Sequence, residues 1–414
     1  MQRYRTGDQA LVREINLSTV LRCLQESAPL SRARLADRTG LNKTTVSSLV
    51  EELVERGLVH QVGLDNSKSG RPATLLDLAP QAGHIIGVEL GVGFITVILT
   101  DFVGQIIWRR QQETDTTSEP QEAIVAYALN MVEEAKAASQ THGARLLGMG
   151  LALPGMVDVQ NGTLLFSPNL QWRDVDLGQI FFARTGIRVF VENDATAAAL
   201  GEHLFGVARQ AQNFIFLIAG VGLGSGLFLN GDLYRGAGGI AGEVGHTSIS
   251  MNRSRPCRCG SRGCWEASGN QYSLIERVRA LLEVGQSSLI PRFMAEKGVP
   301  LDLSVISQAA DAGDAVALEA LSETSVVIGM GLANLINIFN PEMVVVGGAM
   351  STAGHHLLPS IERAVQEHAL TEMLQQVQIV LSAFGPDASV MGAVALVVKA
   401  ILSSPSSVER LSLL

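Results

Sequence analysis

The segment formed by residues 243–266, EVGHTSISMNRSRPCRCGSRGCWE, constrains this chain more than any other. It holds three of the four cysteines and one histidine: His246, Cys257, Cys259 and Cys264. Structural zinc takes four nitrogen or sulfur ligands in a tetrahedron, and the C-x-C and C-x4-C spacings put several thiolates on one small loop. We therefore predict a closed, structural zinc site with these four ligands. Three unlinked thiols in a loop are the alternative; disulfides are less favoured because three neighbouring cysteines cannot all pair.

Charge is distributed unevenly along the 414 residues. The net charge of −9 argues against a general polyanion-binding surface. Residues 1–72, however, contain 11 Lys and Arg against 8 Asp and Glu, whereas the remainder contains 20 against 32. A mildly basic N-terminal part on an acidic body is compatible with nucleic-acid binding confined to that part. The length suggests about three domains.

No secretory or membrane segment is predicted. The start, MQRYRTGDQA, has charges but no following apolar stretch. The uncharged run 214–229 is interrupted by glycines and is shorter than the ~20 residues of a membrane helix. We expect a cytoplasmic protein whose cysteines stay reduced and available to a metal.

The first 80 residues have the pattern of a helix-turn-helix domain with a wing. Apolar residues at helical spacing in residues 16–25 predict one helix, and Ser31 and Asn42 are the predicted caps of two more. The polar start of the third helix suits the major groove, and the hairpin 58–78 forms a wing that carries Arg71. The predicted DNA contacts are short polar or cationic side chains: Ser31, Arg32, Asn42, Lys43, Thr44, Thr45, Ser47 and Arg71. A plain helical bundle, with Arg71 in an ordinary linker, is the alternative.

Beyond Pro80 the pattern changes to two α/β halves. Each half opens with apolar strands around glycine turns, at ELGVG in the first half and GVGLGSG in the second. Each continues with helices and further strands, and a last helix begins near Ala388. We predict a ligand crevice between the halves and three domains, residues 1–80, 81–206 and 207–414.

Several linked segments resemble the ROK family of sugar kinases and sugar-responsive repressors, over essentially the whole chain. They are SRARLADRTGLNKTTVSSLVEELVERGLV, SGRP, SPNLQWRDVDL, ENDA, GVGLGSG, LYRGAGGIAGEVGH and CRCGSRGCWE, of which the last two are highly specific. The resemblance implies an actin-like, hexokinase-like two-lobed α/β fold, a duplicated ribonuclease H-like unit, behind a winged helix-turn-helix domain. Within the family, the chain looks most similar to regulators that respond to xylose.

The resemblance also implies a monosaccharide site. A sugar ring needs several convergent polar partners, because each buried polar group left unpaired costs about 1 to 3 kcal/mol. The residues that match the family's sugar contacts are Gly155, Asn169, Asn193, Asp194, Glu243, His246 and Glu266. His246 would serve both sites, with one ring nitrogen on zinc and the rest of the ring against the sugar.

The phosphate turns depart from those of the family's kinases, in which the aspartate matching Asp194 is the general base. The kinase motif D-x-G-x-T is replaced by residues 89–93, ELGVG, and Val221 stands where the kinases usually carry threonine. We therefore expect no enzyme activity, but a repressor that binds an inverted-repeat operator as a homodimer or homotetramer and responds to a sugar, with xylose favoured. The alternatives are an active sugar kinase with a DNA-binding appendage, and a constitutive DNA-binding protein whose sugar fold only mediates dimerisation.

Overall fold

The computed structural model describes residues 8–65, 72–116, 118–249 and 255–408. Its N-terminal domain, called the head below, consists of α1 (Gln9–Ser27), β1 (Leu30–Ser31), α2 (Arg32–Thr39), α3 (Lys43–Glu55), β2 (Val59–Asp65) and β3 (Ala73–Leu78). Ser31 caps α2, and the Asn42 side-chain oxygen caps α3 by accepting the Thr45 backbone N–H at 2.8 Å. The predicted helix-turn-helix is therefore present. Strands β2 and β3 form the antiparallel hairpin of the wing.

The first lobe follows the head. Its elements are β4 (His84–Leu90), β5 (Phe94–Thr100), β6 (Ile106–Glu113), α4 (Gln121–Thr141), β7 (Leu146–Leu153), β8 (Met156–Asp158), β9 (Thr163–Ser167), β10 (Trp172–Val175), α5 (Leu177–Thr185), β11 (Val189–Asn193) and α6 (Asp194–Leu204). Residues 172–175 pair with β9 as an antiparallel strand, and Val189–Asn193 pairs with β7 in parallel.

The second lobe begins at the next strand. Its elements are β12 (Phe214–Ala219), β13 (Leu223–Leu229), β14 (Asp232–Leu233), α7 (Glu266–Gly269), α8 (Gln271–Glu283), α9 (Ile290–Lys297), α10 (Leu303–Asp311), α11 (Ala315–Phe339), β15 (Met343–Gly347), α12 (Gly354–His368), α13 (Thr371–Leu374), β16 (Gln378–Leu381) and α14 (Ala388–Ser403). A short 3₁₀ helix, Ala349–Ala353, lies between β15 and α12.

The two five-stranded sheets have the same topology. Their strand orders are β11-β7-β4-β5-β6 and β14-β13-β12-β15-β16, so each sheet places its first strand at the centre. In both sheets an antiparallel meander of three strands is extended by two parallel strands. This repetition is the duplicated two-lobed fold expected from the sequence.

The last helix returns to the first lobe. Helix α14 packs on α6, β7 and β4, although the division at residue 206 assigns it to the second lobe. Small residues allow this contact, since a Cβ on Gly150 would lie 1.9 Å from the Ala393 carbonyl oxygen. The first lobe is therefore completed by the C-terminal residues of the chain.

Within the part of the chain that the structure describes, two helical segments have the length and hydropathy of membrane spans, residues 315–339 and 385–403. More than half of each apolar window is buried inside the protein. Core helices of soluble proteins pass the same test, and burial here comes from packing between secondary-structure elements. Their hydropathy therefore reflects the cores of the two lobes.

Candidate functional site

A crevice of about 380 Å³ lies between the two lobes, within the range typical of small-ligand sites. It lies at the carboxyl ends of central strands from both sheets, where α/β proteins usually bind ligands. All seven residues predicted to contact a sugar line it: Gly155, Asn169, Asn193, Asp194, Glu243, His246 and Glu266. The structure thus brings together residues that are up to 111 positions apart in the chain.

Asn193 and Asp194 are presented at the junction of β11 and α6. The Asn193 side chain caps α6 by accepting the Thr196 N–H at 3.0 Å, and its Nδ2 donates to the Gly155 carbonyl at 3.1 Å. Asp194 Oδ1 accepts the Ala195 N–H at 2.8 Å. Burial, with a smaller effect of nearby Glu243, raises the pKa of Asp194 to about 7. A carboxyl with that pKa can accept or donate a hydrogen bond to a sugar hydroxyl near neutral pH.

Glu266 connects the second-lobe glycine turn to the cysteines. Its Oε2 accepts the Leu223 N–H at 3.1 Å, and its Oε1 lies 3.6 Å from Cys257 Sγ. A Cβ on Gly222 would lie 2.8 Å from Glu266 Oε2 and 3.2 Å from Asn169 Nδ2. A side chain at residue 222 would therefore displace these two polar side chains, because the turn passes directly beside them.

The four predicted zinc ligands converge. His246, Cys257, Cys259 and Cys264 place their ligand atoms within 4.8 Å of one another. Cys259 Sγ and Cys264 Sγ are 3.8 Å apart, and Cys257 Sγ is 3.7 Å from His246 Nδ1. A tetrahedral zinc with Zn–S near 2.3 Å and Zn–N near 2.0 Å separates its ligands by about 3.8 and 3.6 Å. The donor set and its spacing fit zinc.

The thiols of this cluster favour the protonated form when no metal is bound. All four cysteines of the chain are free thiols. Burial is the main cause that raises the pKa of Cys257 to about 12, and burial also raises the pKa of Cys264. Thiols in this position stay protonated until a metal displaces the protons. Zinc bound there would supply structural cross-linking, since four protein ligands leave no position for water.

The two ring nitrogens of His246 face different partners. Nδ1 points towards Cys257, whereas Nε2 lies 3.7 Å from Glu243 Oε2 on the crevice side. Burial raises the pKa of Glu243, and His246 acts in the opposite direction. The cysteine loop, defined as residues 243–249 and 255–266, therefore contacts the crevice through both His246 and Glu266.

The opposite side of the crevice contains residues absent from the predicted site. Glu89 is buried, and its Oε2 has no hydrogen-bond partner in the described structure. Burial, and then the carboxylates of Asp194 and Asp387, raise the pKa of Glu89 well above its ordinary value. Asp387 is itself paired with Arg109 at 2.9 Å. Nothing in the local sequence links Asp387 to Glu89, because only the return of α14 to the first lobe places them together.

Phe94 occupies the first glycine turn. A Cβ on Gly91 would lie 2.3 Å from the tip of the Phe94 ring, so the ring lies flat against this turn. Both residues line the crevice. The turn that would hold phosphate in a kinase of this type is thus covered by an aromatic side chain.

The predicted DNA-contacting residues divide into three groups. Asn42, Lys43 and Thr44 are exposed at the start of α3, with Arg32, Thr45 and Ser47 half-buried. Ser31 is 5% exposed, and its side-chain oxygen caps α2 by accepting the Arg34 N–H; its contact with DNA stays a prediction. Arg71 lies outside the described residues.

Comparison with known proteins agrees with the two-part architecture. Residues 85–400 match the ROK family model, and residues 16–63 match the IclR helix-turn-helix domain. The xylose repressor of Caldicellulosiruptor bescii is 35% identical over 401 residues, covering 96% of this chain and 99% of the repressor.

Solved structures extend the likeness to both regulators and kinases. A ROK family transcriptional regulator, described as a homologue of the Escherichia coli MLC protein, aligns with a TM-score of 0.80 at 28% identity over 96% of this chain and 99% of its own. A ROK family glucokinase from Streptomyces griseus, in complex with glucose and AMPPNP, aligns with a TM-score of 0.67 at 30% identity, over 76% and 99%. The chain, with its helix-turn-helix head and two-lobed body, belongs to the ROK family.

Proposed function

We propose that this protein is a transcriptional repressor whose binding to operator DNA is controlled by a monosaccharide, with xylose the favoured sugar. One observation carries the proposal: the two helices that begin at the sugar crevice also end at the DNA-binding head. Helix α6 starts with Asp194 in the crevice, and α14 follows Asp387 in the crevice. A conformational change on sugar binding would therefore be transmitted to the head through α6 and α14.

The two helices form one rigid unit. A Cβ on Gly392 would lie 2.1 Å from the Ala197 carbonyl carbon, and a Cβ on Gly201 would lie 3.0 Å from the Gly392 nitrogen. Backbones this close cannot slide past each other without a clash. Sugar contacts at the start of α6 would therefore displace α14 as well.

Helix α1 of the head is hydrogen-bonded to the C-terminal ends of α6 and α14. Gln25 Nε2 donates to the Leu204 carbonyl at 2.8 Å, and Arg22 donates to Ser403 Oγ at 2.9 Å. Glu14 accepts from Ser404 Oγ and the Ser406 N–H, each at 3.0 Å. Buried leucines of α1 belong to the same apolar core as the end of α14. The head would therefore move with the helix pair.

The second lobe also contacts this unit. Glu202, near the end of α6, is buried and accepts the Ala383 N–H at 3.0 Å, just after β16. Its other oxygen accepts the Val207 N–H at 2.9 Å. Closure of the lobes over a sugar would pull on this carboxylate, and a dimer would convert the movement into a changed spacing of its two heads. The changed spacing would lower operator affinity.

We infer that the protein acts on no phosphate donor. Phe94 covers the first phosphate turn, and the raised pKa of Glu89 favours a neutral carboxyl where a kinase needs a charged one. Val221 adds no hydroxyl to the second turn. Poor ATP binding follows from the loss of these contacts, although Asp194 remains in the position of a kinase base.

Zinc, oligomeric state and location complete the proposal. Zinc held by His246, Cys257, Cys259 and Cys264 would keep the crevice wall rigid in the absence of sugar.

A head with one recognition helix covers one half-site, so an inverted-repeat operator requires a homodimer or a homotetramer. A repressor acts on chromosomal DNA, and we therefore propose a cytoplasmic protein.

The test measures operator release by sugars. DNA that the full-length protein binds would be selected from random fragments, and its affinity would be measured with xylose, glucose, N-acetylglucosamine or no sugar. We expect xylose to raise the DNA dissociation constant at least tenfold. Binding that is identical with all sugars would contradict the proposal and favour a constitutive DNA-binding protein.

A second assay addresses the kinase alternative. ADP release would be followed with ATP and the same sugars. We expect no turnover above background. A rate of about 1 s⁻¹ or more, within the ordinary range for enzymes, would show that the phosphate site functions despite Phe94.

A further inference from the structure

A second group of metal-ligating side chains lies in the second lobe, apart from the cysteine loop. It consists of Asp311, the last residue of α10, and His355 and His356, in the first turn of α12. Both His Nε2 atoms lie 2.8 Å from the same oxygen, Asp311 Oδ1. The two imidazole centroids are 4.0 Å apart. Three ligand atoms from two helices therefore converge on one point.

We propose that this cluster, called the Asp–His–His cluster, binds a divalent first-row transition ion such as Ni²⁺, Co²⁺ or Zn²⁺. Ligands at about 2.1 Å in neighbouring positions of an octahedron lie about 3.0 Å apart. The two Nε2–Oδ1 separations, each 2.8 Å, match this value to within a few tenths of an ångström, and all three ligand atoms lie within 4.8 Å of one another. Two imidazoles select against Mg²⁺ and Ca²⁺, which prefer oxygen ligands.

The exposure of the cluster fits a reversible site. The side chains of His355, His356 and Asp311 are 60%, 18% and 54% exposed, so a metal could enter from solvent and complete its coordination with water. The cysteine loop has the opposite character, with four protein ligands and one buried thiol. The two sites therefore differ in ligand type and in access.

The position of the cluster gives the metal a structural consequence. Residues 349–353, a 3₁₀ helix, connect Gly348 to α12, and Gly348 and Ala349 line the crevice. Ser351 also bonds the Gly348 carbonyl, through its backbone N–H at 3.0 Å and its hydroxyl at 2.6 Å. A metal joining α10 to the first turn of α12 would hold this wall of the crevice in place. The inference does not depend on the sugar or the DNA.

The test uses full-length protein with its cysteine loop loaded with zinc. Ni²⁺ would be titrated by calorimetry into wild type, His356→Ala and Asp311→Asn. His368→Ala is the matched control, since His368 is an exposed histidine at the other end of α12. We expect one Ni²⁺ per chain in wild type and in the control, and at least a tenfold weaker dissociation constant in the other two variants.

Thermal unfolding supplies a second readout. Saturating Ni²⁺ should raise the melting temperature of wild type and of His368→Ala by roughly 3 °C, and leave Asp311→Asn unchanged. A titration with no Ni²⁺ equivalent in wild type, or with equal affinity in all four proteins, would show that the three residues form a hydrogen-bonded cluster only.

Discussion

At the residue scale, Asp194 lies in the crevice, in a buried environment that disfavours its charged form. It begins α6 and lines the crevice, and burial is the main cause that raises its pKa to about 7. An unfolded aspartate has a pKa of about 3.9. Between about pH 4 and pH 7 the native state therefore binds a proton that the unfolded state lacks, and the stability contributed by Asp194 falls as pH rises through this window.

Asp194→Asn should remove this pH-dependent loss. At pH 8 the variant should be more stable than wild type by up to about 4 kcal/mol, and the difference should shrink towards pH 4. Urea unfolding at several pH values measures it. The exposed Asp37 on α2 gives the control, Asp37→Asn, which should track wild type. A stability difference that does not vary with pH would contradict the assigned pKa.

In the head, Lys43 is the residue whose replacement tests DNA binding. It is exposed at the first position of α3, where a cation can reach DNA phosphates. Lys43→Ala should weaken operator binding about tenfold, lower the slope of log affinity against log salt by about 1, and leave xylose affinity unchanged. Lys297→Ala, on α9 of the second lobe, is the control. An equal loss of DNA and sugar binding would mean that the variant is misfolded.

At the element scale, the cysteine loop is a small structure with little core of its own. Its turns are set by Gly260 and Gly263, both with left-handed φ, and by isolated bridges between Ser248 and Cys264 and between Pro256 and Arg262. Val244 and Trp265 are buried in the core of the second lobe, and metal coordination would add rigidity to the turns between them. The crevice wall formed by Glu243 and Glu266 depends on that rigidity.

Cys259→Ser should therefore release zinc and weaken xylose binding together. We expect elemental analysis to find one zinc per chain in wild type and almost none in the variant, with xylose affinity at least tenfold lower by calorimetry. Cys23→Ser, in α1, is the control for the loss of a thiol elsewhere. This variant should keep both its zinc and its xylose affinity. Zinc loss with retained xylose affinity would show that the loop is not needed to shape the crevice.

At the scale of the whole molecule, the head is part of the body and not a loosely tethered domain. Arg145 of the first lobe donates to the Arg56 carbonyl of the head at 3.1 Å and to the Ala82 carbonyl at 2.8 Å. Arg209 donates to the Gln25 carbonyl at 2.8 Å. Movement of α6 and α14 should therefore change the orientation of α1, and with it the spacing of two heads in a dimer.

Gln25→Met tests this connection, because it keeps the side-chain length and removes the donor to Leu204. Sugar affinity and sugar-free operator affinity should stay within about threefold of wild type. The factor by which xylose raises the operator dissociation constant should be at least fivefold smaller than in wild type. Fluorescence anisotropy of labelled operator measures this factor. Glu26→Gln, the exposed neighbour on α1, should behave as wild type. A full xylose effect in Gln25→Met would place the coupling elsewhere.

The sequence alone determined the local features and the site composition. The caps at Ser31 and Asn42 and the last helix from Ala388 depend on nearby residues, and so were predictable. The residues of the predicted sugar and zinc sites occur in short segments with a distinctive chemistry. Hydrogen-bond capping, apolar periodicity and ligand type are properties that neighbouring residues specify among themselves.

Only the tertiary structure decided which distant segments meet. Packing returns α14 to the first lobe and brings Asp387 near Glu89. It also buries Ser31, places the Phe94 ring on Gly91 and assembles the Asp–His–His cluster. Such contacts arise because apolar faces must be buried and only a few arrangements of the lobes achieve this. The periodicity of each segment fixes its apolar face, but the partner of that face is chosen by the fold.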